Sequence, residues 1–171
     1  MRTKKRPLLV LLVAIVAGPP RQAADIWRAA TPGELRQIIP ARAQVEKERI
    51  ETEFRTASGI TNEDGKFIAG VVLITAGYAA EGKYSNFLVV QVPIKVEQVL
   101  LPPGNYLFGW KHSSADTLLV TFYDAESGKP VGSATAERVS RTGRIESFRI
   151  RPPRLKARIE IGRFAIPYAF E

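Results

Sequence analysis

A chain of 171 residues with 45% hydrophobic and 25% charged residues fits one globular domain and excludes wholesale disorder. With no cysteine and one histidine, it also excludes a disulfide framework, a thiol nucleophile and a lipid-modified cysteine, and it argues against a structural zinc site. The net charge of +8 resembles a nucleic-acid signature, but Arg2, Lys4, Lys5, Arg6 and Arg21 carry five of the positive charges; the remainder has 20 basic against 17 acidic residues, net +3, and no Lys/Arg run suited to tracking phosphates.

Met1 to Ala24 reads as a bacterial secretory signal peptide. A basic start, RTKKR, precedes the apolar run Leu8–Ala17, and Gly18-Pro19-Pro20 stops it. The run falls short of the roughly 20 residues a spanning helix needs. Cleavage after Ala24 is favoured, although Gln22 is a poor fit to the small-x-small pattern; an uncleaved anchor is the alternative. Export places the protein in the periplasm or outside the cell. Without cysteine, its stability there rests on apolar burial and strand ladders.

Three parts follow: the signal peptide 1–24, an N-terminal helical segment 25–60 and an all-β domain 61–171. In the helical segment Thr31-Pro32-Gly33-Glu34 has a helix start, with Thr31 as N-cap and Pro32 at the first helical position. Pro40 interrupts, and a second, amphipathic helix is expected over 41–59. Its apolar stripe is Ala41, Val45, Ile50 and Phe54, and Ser58-Gly59 ends it. That helix either lies across the sheet or serves as an arm for a partner protein.

Thr61–Lys66, TNEDGK, is a turn-rich loop. Its acidic pair suggests calcium only weakly, because the bidentate glutamate of an EF-hand does not follow. From Phe67 the pattern turns to strand. FIAGVVLITAGY is apolar on both faces over its middle, as a central strand is. Phe87–Val92, Ile94–Val96 and the Pro102-Pro103-Gly104 corner come next. After the corner Tyr106, Phe108 and Trp110 alternate onto one face. Leu118, Val120 and Phe122 line another strand, and Asp124–Lys129 is a hairpin turn. In the last stretch Ile159 and Ile161 alternate in one parity, Phe164, Ile166 and Tyr168 in the other, which predicts a β-bulge at Gly162. The expected fold is mainly β: an antiparallel sandwich or small barrel of about eight or nine strands with one N-terminal amphipathic helix.

The sequence offers little catalytic chemistry. His112 has Ser113 and Asp116 nearby, but in a polar loop. There is no nucleophile elbow, P-loop or dinucleotide fingerprint, and no cofactor or metal is implied. The positive hint is the aromatic face. Sealed, Tyr106, Phe108 and Trp110 are core; open, they stack sugars or cup a lipid-like ligand, with Lys111 and His112 at the rim.

LPPGNYLFGW, followed by TFYDAESGKPVG and later by IGRFAIPY, resembles small exported bacterial β-sandwich proteins of uncharacterised function, over roughly residues 77–168. The resemblance implies the fold and brings no catalytic residues. The expected function is an exported, non-enzymatic β-domain that binds a ligand or a protein partner in the cell envelope. The partner is a protein, a carbohydrate or a lipid-like ligand, not nucleic acid, and the membrane enters only through an uncleaved signal segment. The alternatives are an exported hydrolase acting on polysaccharide or peptide and a structural subunit of an envelope assembly.

Overall fold

The structure is a computed structural model that describes residues 27–140 and 142–171. The signal-peptide reading of residues 1–24 lies outside the described residues.

The chain opens with β1 (Arg28–Ala29) and the helix α1 (Pro32–Ile38). α1 begins as the sequence predicts. The Thr31 hydroxyl accepts the Glu34 N–H at 3.3 Å, and the Glu34 carboxylate accepts the Thr31 N–H at 2.8 Å. The second helix does not form. Residues 41–59 are instead β2 (Arg42–Val45) and most of β3 (Glu48–Thr61), joined by a two-residue turn in which Glu46 has φ 54°. Glu, Lys, Arg and Ala favour helix, but Ala43 and Val45 also lie two apart, and burying both completely on one strand face decides the contest.

β4 (Phe67–Leu73), the short helix α2 (Gly77–Ala80), β5 (Asn86–Val90), β6 (Ile94–Val96), β7 (Val99–Leu101) and β8 (Gly104–His112) follow. The chain ends through β9 (Thr117–Asp124), β10 (Pro130–Arg138), β11 (Phe148–Arg151), β12 (Arg158–Ile161) and β13 (Phe164–Phe170). Among the described residues thirteen strands pair antiparallel in the order β1-β3-β4-β5-β8-β9-β10-β13-β12-β11, with β2 on β3 and the β6–β7 hairpin on β13. β11, at the far end of this order, returns against β3, so the sheet nearly closes into a barrel. The count exceeds eight or nine because several strands are only two to four residues long.

The period-two pattern divides the side chains between two cores. Leu88, Val90, Tyr106, Phe108, Val120 and Phe122 face the barrel interior. Val71, Phe87, Val89 and Leu107 face outward, beneath Leu35 of α1, its C-cap residue Ile39, and Ala43 and Val45 of β2. β4 and β5 are therefore covered on both faces, as their unbroken apolar runs require.

β10 and β13 pair only at Glu137↔Ala165 and Arg138↔Phe164, and then separate. The β6–β7 hairpin fills the gap: Val96 pairs with Tyr168, while Glu97 Oε2 accepts the Thr135 N–H at 2.7 Å and Gln98 Nε2 donates to the Ser133 carbonyl at 2.9 Å. The bulge expected at Gly162 is a turn instead. Ile161 pairs with Phe164 across a two-residue hairpin whose first corner is Gly162, φ 56°. The change of parity marks a chain reversal, and glycine supplies the positive φ it needs.

Candidate functional site

The aromatic strand lies mostly inside. Tyr106 and Phe108 are buried, and the Phe108 ring packs 5.5 Å from Phe122 and 5.9 Å from Phe148. The Tyr106 hydroxyl donates to the Pro102 carbonyl at 2.7 Å, which ties the strand to its corner. Burial holds that hydroxyl's pKa above its ordinary value, and the nearby Asp124 carboxylate adds to the effect. Trp110 is half-buried at the opposite end of β8. Lys111 is exposed on the other face. His112 is exposed at the strand end, its ring edge-on to Phe164 at 5.5 Å. The neighbours that a catalytic histidine would recruit are engaged elsewhere: Asp116 accepts from Arg138 Nε at 2.8 Å, and Ser113 shares a hydrogen bond with Thr117 at 2.7 Å.

In the TNEDGK loop the Asn62 side-chain oxygen accepts the Lys66 N–H at 2.9 Å and closes the turn. Among the described residues no three His, Asp or Glu side chains gather as a metal site would need.

A concavity with polar groups on its walls lies at the barrel seam. β3 leaves β4 between Glu53 and Ser58. Thr56 covers the break, its hydroxyl accepting the Val72 N–H at 2.9 Å and donating to the Glu53 carbonyl at 2.8 Å. β11 meets β3 beyond the break, where the Ile150 N–H donates to Ser58 Oγ at 2.9 Å. A cleft of about 740 Å³ is left between the arched part of β3 and β11, with Ala29, Ala30 and Leu35 behind it. A second cleft, about 870 Å³, runs on past Trp27, Arg28 and Thr61. Ala29, Pro152 and Leu155 border both.

Charge lines the seam cleft. Arg55 bonds Glu53 at 3.0 Å and Arg149 bonds Glu146 at 2.9 Å, while Arg144 and Arg151 also reach its wall. The Arg55 guanidinium holds the Glu53 carboxyl below the usual carboxylate range. On the outer face beside the cleft, Glu160 is completely buried, and its Oε1 accepts from Arg151 Nε at 2.6 Å and from Arg158 Nε at 2.7 Å. A buried carboxylate needs such partners. The arrangement suits recognition of polar or anionic groups by arginine.

Sequence reasoning brought Trp110 and His112 to the same end of β8 and missed the seam. The signal it passed over is compositional. Residues 138–163 hold nine Arg or Lys against two Glu, whereas the rest of 25–171 holds eleven basic against fifteen acidic residues.

Comparison of the chain with known protein families, with curated proteins and with solved structures finds no match.

Proposed function

We propose that this chain is an exported, non-enzymatic β-barrel module that binds a ligand or protein partner in the periplasm or at the cell exterior, and that it binds at the seam cleft. The observation that carries the reading is the break in β3, which opens a concavity of about 740 Å³ with arginine and glutamate pairs on its walls. Binding sites are concave, with a few fixed polar groups in a partly apolar lining. Around β8 the barrel interior is filled by the Phe108 ring, which packs against Phe122 and Phe148. Export rests on the apolar run Leu8–Ala17 behind RTKKR.

The test is photo-crosslinking in the exporting cell. A benzophenone side chain at Arg55, which is 88% exposed on the cleft wall, gives a discrete adduct; the same group at Leu119, 48% exposed on β9, gives none. Retention of the chain in the cytosol, or indistinguishable adducts from both positions, refutes the reading.

A further inference from the structure

We propose that the arginine-rich outer face of β11 and β12, with the Pro153–Leu155 turn beside it, docks this protein on an anionic phospholipid surface. The inference deepens the cleft reading above, because Arg149 and Arg151 belong to both.

Charge segregation is the first support. Residues 144–160 hold six Arg or Lys against only Glu146 and Glu160, and the pairing of β11 with β12 sets Arg149, Arg151 and Arg158 on one face. A negative surface draws this face ahead of the rest of the molecule, which orients the protein as it approaches.

The second support is apolar. Leu155 is 55% exposed between Arg154 and Lys156, and Ile145 is 37% exposed next to Arg144; both border the seam cleft. An apolar tip ringed by basic side chains suits a membrane interface. The guanidinium and ammonium groups meet headgroup phosphates while the tip enters the acyl boundary. A phosphate polymer would use the arginines and gain nothing from Leu155.

The third support is rigidity. Pro152 and Pro153 lead into a 3-10 turn, and Lys156 leaves it at φ 62°. The Tyr168 hydroxyl fastens the preceding strand, donating to the Arg151 carbonyl at 2.6 Å. Buried Glu160 holds Arg151 and Arg158 side by side. The face is presented in one arrangement, so docking orders few side chains.

The experiment is co-flotation of the exported, processed protein with phosphatidylcholine vesicles, with and without about one third phosphatidylglycerol. The protein floats with the anionic vesicles, and added salt releases it. Arg144→Gln and Lys156→Gln each weaken binding about fivefold. Leu155→Ser weakens it by a similar factor without changing charge, and Leu119→Ser, an exposed leucine on β9, leaves it intact. Equal binding to neutral vesicles, a silent Leu155→Ser, or an equal loss with Leu119→Ser overturns the inference. Those results leave the Arg55 crosslink standing, so the two readings fail separately.

Discussion

The Tyr84 hydroxyl donates a hydrogen bond to Glu46 Oε1 at 2.5 Å, across 38 residues of sequence. Glu46 is at the tip of the β2–β3 hairpin, where its N–H donates to the Ala125 carbonyl at 2.8 Å. Its carboxylate lies against Gly128, where a Cβ would come within 2.5 Å of Oε1. The outer layer is thus latched to the β9–β10 turn. Tyr84→Phe removes the donor and leaves the carboxylate short of a partner, and we expect a loss of about 1.5–3 kcal/mol in urea unfolding. Burial foremost, and then the bond to Glu46, raise the Tyr84 pKa above the ordinary value of 10. The stabilisation is therefore complete below that pH and is lost as pH rises beyond it. Tyr84→Phe removes that alkaline loss; an unchanged alkaline limb in the variant contradicts the latch.

Gly109 makes a different kind of contact. A Cβ there would lie 1.7 Å from the Lys83 carbonyl oxygen, because the α2–β5 loop crosses directly over β8. The obstacle is backbone, so it cannot turn aside. Gly109→Ala costs about 3 kcal/mol or more. Gly77→Ala, in α2 with open space around it, is neutral or stabilising by about 0.5–1 kcal/mol. Equal unfolding midpoints for the two variants would exclude the close crossing.

Much of this architecture was legible, and the failures share a cause. Tyr106, Phe108 and Trp110 alternate as written, and on β9 Phe122 opposes Phe108 and Val120 opposes Trp110, with Leu118 in the same phase. Such patterns need only a strand and one buried face. Residues 41–59 satisfied two periods at once, and only the outer face of β4 and β5, distant in sequence, selects strand over helix. Gly162 could be read as a displaced residue or as a corner; the partner of Ile161 decides, and it is Phe164. The seam was invisible for the same reason: Ser58 meets Ile150 across 92 residues. The basic segment was countable, but Arg151 and Arg158 become one site only when Glu160 is placed between them.

Asn86 occupies the interior-facing parity of β5, between Leu88 on its own strand and Phe108 opposite. It is 1% exposed, and among the described residues neither side-chain amide atom has a hydrogen-bond partner. A buried amide so placed costs about 1–3 kcal/mol. Asn86→Leu, similar in volume and apolar like its neighbours, raises stability by about 1–2 kcal/mol. A fall in the thermal midpoint would mean that the amide is satisfied in solution.

Glu34 ties β1 to α1 and titrates accordingly. Its carboxylate takes two hydrogen bonds from the Arg28 guanidinium, at 2.6 and 3.0 Å, besides the Thr31 N–H and hydroxyl. Those bonds, Arg28 first, lower its pKa from 4.5 to about 2. A depressed carboxylate stabilises the fold above its unfolded value and loses that contribution as pH falls through the folded one. The window here runs from pH 4.5 down to about 2. Glu34→Gln keeps an acceptor for the cap and loses the charge. Its thermal midpoint lies below that of the unmodified protein at neutral pH, and the two converge towards pH 2. The gap also narrows in high salt, because Arg28 and Glu34 are in contact with water. A gap that stays constant from pH 7 to about 2 assigns the effect of Gln to packing and removes the ion pair from the account.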